Sequence, residues 1–175
     1  MLQLFVMGRS DEQVLRILKP PSNIELLSIS LYSGRRFPEW MEMRDPHSSS
    51  SFPRLETIKL NWMWKLEEWV LNWRHKKECL PALQHLDIQY CYGLKGLPQL
   101  ELMTSLKELT ISECPKLKFV FHGLRHLTSL QYLRIGECPK VVIPKEELDA
   151  LVALRGPFLE YIDAELIHED STTTT

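Results

Sequence analysis

One pattern recurs five times along the chain and fixes what it can fold into: Leu/Ile-x-x-Leu/Ile-x-Leu/Ile. It stands at Ile24, Leu27 and Ile29; at Leu55, Ile58 and Leu60; at Leu83, Leu86 and Ile88; at Leu106, Leu109 and Ile111; and at Leu130, Leu133 and Ile135. Every slot is Leu or Ile in a chain that is 44% hydrophobic overall, so composition alone does not produce the match. The anchors lie 31, 28, 23 and 24 residues apart. The agreement runs past each triplet. Eight residues after the anchor come Tyr32, Met63, Cys91, Cys114 and Cys138. Eleven after it come Leu66, Leu94, Leu117 and Val141, and fourteen after it Trp69, Leu97 and Val120.

Alternate side chains of a strand point to opposite faces. Leu86 and Ile88 therefore turn inward while His85, Asp87 and Gln89 turn outward. Each unit reads as a short strand, a turn and a return segment over the same core. One unit cannot bury its apolar face alone, so neighbours must stack and pair their strands in parallel. The last two spacings fall within the period of leucine-rich repeats. The expected fold is an α/β solenoid: a short parallel-sheet horseshoe of about five irregular repeats with helical caps.

Four segments follow. Residues 1–22 read as a partial repeat and a helix, with the capping-box pattern Ser10-Asp11-Glu12-Gln13 and a stripe of Val14, Leu15 and Leu18 ending at Pro20-Pro21. Residues 23–144 hold the repeats. The first two units are long, and Asp45-Pro46-His47 with Ser48 to Ser51 reads as a flexible loop between them. Residues 145–158 hold a capping helix over 146–155, with Leu148, Leu151 and Val152 on its core side. Residues 159–175 form an acidic tail without Lys or Arg, expected to be partly disordered.

Charge narrows the function. Lys plus Arg number 21 against 23 Asp plus Glu, a net charge of −2. Nucleic-acid and membrane-surface binding both draw on excess positive charge, so neither is expected. Mean hydropathy is −0.19, and no apolar run is long enough to span a bilayer. The apolar start lacks the basic residues and small-residue cleavage site of a secretory signal, and Asn23, Asn61 and Asn72 lie in no glycosylation sequon. The expected compartment is the reducing cytoplasm.

The stretch from Asp11 through Lys19-Pro20-Pro21-Ser22-Asn23-Ile24 resembles the C-terminal leucine-rich repeats of plant nucleotide-binding disease-resistance proteins of the coiled-coil class. So do Leu27-x-Ile29-x-x-Tyr32-x-Gly34-x-x-Phe37-Pro38-x-Trp40-Met41 and the pair Ile111-Ser112-Glu113-Cys114-Pro115-Lys116-Leu117 and Ile135-Gly136-Glu137-Cys138-Pro139-Lys140-Val141. The resemblance covers roughly residues 1–145. It implies the sensor end of an intracellular immune receptor. The implied partners are a pathogen effector, a host guardee, or the receptor's own nucleotide-binding module, which such a region holds inactive. No Gly-x-x-x-x-Gly-Lys-Ser/Thr is present, so nucleotide binding does not carry over. Met1 begins where the family is already inside its repeats, so the resemblance implies a C-terminal fragment, a truncated gene product or an excised piece of a longer receptor.

Each candidate site has a plainer counterpart. Cys91, Cys114 and Cys138 share one slot and read as a buried ladder of small side chains. No zinc spacing accompanies them. Geometry alone does not exclude a bridge between adjacent rungs, but the expected compartment favours free thiols. Cys79 lies outside the slot. His122 and His126 lack the Glu of a zinc-protease helix and carry Gly123 between them. His85 and Asp87 share a strand face, with no nucleophile motif to serve. No catalytic residue, metal or cofactor is therefore expected.

Two protein-binding surfaces remain. The concave face aligns Thr57, His85, Glu108 and Tyr132, then Lys59, Asp87, Thr110 and Arg134, then Asn61, Gln89 and Ser112. It is polar and mixed in sign, which suits a protein contact better than a small-molecule pocket. The second is the aromatic and basic run holding Trp62, Trp64, Trp73 and Arg74. In this run Trp69 takes a core slot, while Trp62 and Trp73 either pack over the long second repeat or stand exposed at a contact. The expected activity is non-catalytic recognition and regulation. The alternatives are a substrate-binding adaptor of the F-box leucine-rich-repeat type and a free-standing scaffold.

Overall fold

A computed structural model describes residues 3–6, 12–42, 52–71, 80–122 and 126–155. Its element order is β1 (Gln3–Val6), α1 (Glu12–Ile17), β2 (Leu26–Ser30), α2 (Glu39–Glu42), β3 (Thr57–Asn61), β4 (His85–Gln89), a 3-10 turn (Leu100–Leu102), β5 (Glu108–Ser112), β6 (Phe119–Val120), β7 (Tyr132–Gly136), β8 (Val141–Val142) and α3 (Lys145–Arg155). Six strands form one parallel sheet in the order β1-β2-β3-β4-β5-β7. That is one strand more than the five triplets, because β1 pairs with β2 from Gln3↔Leu26 to Val6↔Ile29. The five triplets behave alike across the sheet. The second and third residues of each are buried strand residues, and the anchors are buried just before the strands.

The entry to each strand is one repeated turn. The anchor N–H donates to the carbonyl three residues earlier: Ile24 to Pro21 (3.3 Å), Leu55 to Phe52 (3.3 Å), Leu83 to Leu80 (3.1 Å), Leu106 to Met103 (3.0 Å) and Leu130 to Leu127 (3.0 Å). Phe52, Leu80, Met103 and Leu127 are themselves buried, so the turn adds a further apolar residue to each layer.

The exit is repeated too. Leu31, Trp62, Tyr90, Glu113 and Glu137 all have φ between 53° and 61°, the left-handed region. For a residue with a Cβ this costs roughly 1–2 kcal/mol. Two gains offset it. The N–H of each of the first four reaches the next repeat: Leu31 to Asn61 O (3.0 Å), Trp62 to Gln89 O (3.1 Å), Tyr90 to Ser112 O (3.1 Å) and Glu113 to Gly136 O (3.1 Å). The reversal also drops the following residue, Tyr32, Met63, Cys91, Cys114 or Cys138, into the core.

The return segments carry a second, thinner ladder. Glu67 N donates to Arg35 O, Lys95 N to Glu67 O and Lys118 N to Lys95 O. Single bridges link Arg36, Glu68 and Gly96, and β6 pairs with β8. The side chains of this face alternate in sign: Lys95 Nζ lies 2.7 Å from the Glu67 carboxylate and Arg35 3.8 Å from it. The hydrogen bond from Lys95 holds the Glu67 carboxyl below its ordinary value, with the Lys95 charge adding to it.

The long first repeat is filled by aromatics. Tyr32 stacks on Phe37 (5.7 Å between ring centroids), and Phe37 meets Trp69 edge-on at 6.1 Å. A Cβ on Gly34 would overlap the hydroxyl end of the Tyr32 ring, so a larger residue there would have to displace that buried ring. The Trp40 indole N–H donates to Leu15 O at 2.9 Å, satisfying a carbonyl in the last turn of α1 and tying that helix to α2. The expected α1 stripe is only partly right. Leu15 is buried, but Val14 and Leu18 stand exposed, because a six-residue helix held through one buried side chain and one carbonyl turns little of its circumference inward.

At the other end, Glu147 N and Leu148 N donate to Pro144 O to start α3, and Leu148 packs on the core. The side chains of Leu151 and Val152, the loop at 45–51, Cys79, Trp73, Arg74 and the tail lie outside the described residues. Among the described residues, no helix is long and apolar enough to cross a membrane.

Leu109 is fully buried in the middle of the sheet. Leu109→Ala is expected to cost about 2–5 kcal/mol in urea unfolding. A loss below ~1 kcal/mol would contradict the inward phase of β5.

Candidate functional site

The sheet presents its polar residues in aligned rows. Parallel register puts Thr57, His85, Glu108 and Tyr132 side by side, then Lys59, Asp87, Thr110 and Arg134, then Asn61, Gln89, Ser112 and Gly136. These are the rows expected from the triplets, and they stand between the buried residues of each strand. Lys59, Glu108 and Arg134 are exposed and the others half-buried, apart from the buried Gly136. Side chains on this face pair locally: His85 Nε2 lies 3.7 Å from Glu108 Oε1, and Gln89 Nε2 donates to Asp87 Oδ1 at 2.7 Å. Positive and negative groups alternate along the middle row, from Lys59 and Asp87 to Arg134.

A second feature lies on the rim where the strands end. The left-handed residues Trp62 and Tyr90 point outward from adjacent repeats and stack with centroids 4.3 Å apart and planes at 7°. Two residues on, Trp64 and Tyr92 stack at 5.1 Å. Trp62 is also 5.7 Å from Trp64 and 6.3 Å from Tyr92, so the four rings form one cluster. Trp62 is 36% exposed and Trp64 52%. Of the two readings open for Trp62, packed or exposed, the structure combines both: one ring face stacks on Tyr90 while the left-handed backbone turns the side chain out over the rim. Trp69 does take its core slot, 2% exposed.

Tyr90 and Tyr92 were not among the expected site residues. They occupy the same two slots as Trp62 and Trp64 one repeat later, seven and nine residues after Leu83. Slot arithmetic is the signal that finds them. Gly93 makes the cluster possible. A Cβ there would stand 2.8 Å from both Leu66 O and Trp64 O, so glycine lets the two backbones close up beneath the rings.

Beneath the rim lie the thiols. Cys91 Sγ donates to Gln89 O (3.4 Å) and Leu60 O (3.6 Å), Cys114 Sγ to Ser112 O (3.2 Å), and Cys138 Sγ to Gly136 O (3.2 Å) and Ile111 O (4.0 Å). Each thiol shares the carbonyl that also receives the previous repeat's left-handed N–H. All three are buried free cysteines. Cys91 and Cys138 thereby reach a carbonyl of the preceding repeat, while Cys114 bonds within its own. Among the described residues, no three His, Cys, Asp or Glu side chains group together as metal ligands, and His122 and His126 are both exposed.

Residues 6–91 match the family model for R13L1/DRL21 leucine-rich repeats. The chain is 39% identical over 67 residues to each of two Arabidopsis thaliana proteins, "Probable disease resistance protein RF45" and "Probable disease resistance protein RDL5". It is 34% identical over 104 residues to "Putative disease resistance RPP13-like protein 1" of the same plant. The chain carries a leucine-rich-repeat region of the plant disease-resistance type. These matches cover 38% and 59% of the chain but only 6% and 7% of the relatives' lengths, so the chain spans a small part of the curated relatives it matches. No solved structure matches it.

The leucine-rich-repeat match includes the stretch that the aromatic packing explains, from Leu15 through Tyr32, Gly34, Phe37 and Trp40 to Trp62, Trp64, Tyr90 and Cys91. Family membership of this segment thus has a physical content: it fills two long repeats that lack the short period of the later ones.

The thiols carry a prediction. At Cys114 the neighbouring Cys138 thiol acts downward, but the Cys91 thiol and burial outweigh it, and the pKa is pushed up to about 12. Contact with Cys114 and burial push Cys138 upward as well. Both stay protonated at neutral pH. A folded-state pKa above the unfolded value gives stability that is full below about 9 and declines as pH rises from there towards 12. Iodoacetamide at neutral pH is expected to leave Cys91, Cys114 and Cys138 unmodified in the native protein and to modify all three in urea, as mapped by mass spectrometry. Rapid native modification of Cys114 would contradict the buried ladder.

Proposed function

We propose that this leucine-rich-repeat region is a non-catalytic protein-recognition module of a plant intracellular immune receptor, working in the reducing cytoplasm. Its partner is a protein: a pathogen effector, a host guardee, or the nucleotide-binding module of its own receptor, which the contact holds inactive. The observation that carries this reading is the open sheet face, where Thr57, Lys59, Asn61, His85, Asp87, Gln89, Glu108, Thr110, Tyr132 and Arg134 stand in register. Mixed-sign rows on rigid strands match a protein surface by charge and hydrogen bonding. They leave the core on the other side untouched. The cytoplasmic part rests on the thiols, since a disulfide would remove the S–H donors that bridge the repeats.

The test is site-directed photo-crosslinking in plant cells. A benzoylphenylalanine introduced at Thr110, half-buried in the middle of the open face, is expected to trap a protein. The same group at Lys118, exposed on the return ladder, is expected to trap none. Crosslinks at Lys118 and none at Thr110 would overturn the assignment of the open face.

A further inference from the structure

The four-ring cluster on the rim goes beyond the open face. Two slots in two adjacent repeats supply it, and the one-repeat step brings equal slots to ring-stacking distance. On either side the grid stops. The repeat before supplies Leu31 and Ser33 in these slots, and the repeat after supplies Glu113 and Pro115. The seventh-residue slot then continues as Glu137. The rim therefore runs from an apolar residue through exposed π faces to two carboxylates on successive repeats.

That order has a chemical meaning. An aromatic face carries partial negative charge and attracts cations. A carboxylate beside it adds charge and bidentate acceptor oxygens that fit a guanidinium. Burial raises the pKa of the Tyr92 hydroxyl most, and the negative charge of Glu113 raises it further. Glu113 thus stands near enough to the rings to act on the same ligand. A nucleobase would also stack here, but its phosphates would face Glu113 and Glu137. A sugar would use the ring faces and leave the carboxylates idle.

We propose that the rim formed by Trp62, Trp64, Tyr90, Tyr92 and Glu113 is a docking site for an arginine-bearing segment of a protein partner. A guanidinium plane lies against the ring cluster, and the carboxylate of Glu113, on the repeat after Tyr90 and Tyr92, pairs with its edge. The site is separate from the strand rows and stands whether or not those rows bind a partner.

Titration of the full chain with a short acetylated arginine peptide tests this, read by tryptophan fluorescence and isothermal calorimetry at two salt concentrations. Saturable, salt-weakened binding is expected. Trp64→Ala should weaken it about tenfold or more, and Glu113→Gln, which changes charge but not shape, should weaken it about threefold or more. Circular dichroism checks that both variants are folded. A matched glutamate peptide and a chitin oligosaccharide should not bind. The proposal is overturned if the arginine peptide does not bind. It is equally overturned if both folded variants bind as well as the parent, which would place the peptide on the acidic tail. Tighter binding of the oligosaccharide than of the arginine peptide would overturn it, as would Trp64→Ala changing only self-association in analytical ultracentrifugation.

Discussion

The corner at the end of each strand is the constraint on which the rest of the molecule depends. A residue with a left-handed backbone hands its N–H to the next repeat, and the residue after it falls into the core. Because the same two moves recur at Leu31-Tyr32, Trp62-Met63, Tyr90-Cys91 and Glu113-Cys114, every repeat is offset from its neighbour by one strand and nothing else. That constant offset keeps the triplets in layers, puts the polar residues of five strands in rows and brings equal rim slots together. A solenoid has no core independent of its stacking, so an error at one corner would propagate to both neighbours.

The corner also accounts for the chemistry of the slot that follows it. A carbonyl that already accepts one N–H retains a lone pair, and a small donor beneath can reach it. Cysteine does this in the three later repeats, where the layers are thin. Tyr32 and Met63 fill the same slot in the two earlier repeats, whose longer chains leave more volume. Tyr32 instead sends its hydroxyl to Arg36 O. The irregular half and the regular half are thus two solutions to one geometric problem, and the irregular half is where the aromatic packing and most of the family match lie.

The sequence was most informative where a side chain must be apolar to fit. The triplets give the strand positions, the inward phase and the register of the open face, because a one-residue slip would turn every Leu and Ile outward. The helix at 146–155 was visible from its flanking prolines and glycine and is found at Lys145–Arg155. The corners were hidden for the opposite reason. None of the five left-handed residues is glycine, so no residue type marks them. The rim cluster was half hidden: Trp62 and Trp64 stand out in the sequence, whereas Tyr90 and Tyr92 join them only after the repeat is folded. β1 carries no full triplet and shows itself only by pairing with β2. The α1 stripe misled because its spacing is helical while its docking rests on Leu15 and the Trp40–carbonyl bond.

Hydrogen exchange read residue by residue by nuclear magnetic resonance tests the corner most directly. If the corners hold the stack together, the amides of Leu31, Trp62, Tyr90 and Glu113 are protected as strongly as those of Leu86 and Ile111 within the strands, and they exchange together with them when the solenoid opens. Corner amides that exchange at the rate of exposed loops while the strands stay protected would contradict the account. They would show that side-chain packing alone, and not the inter-repeat backbone bond, sets the offset.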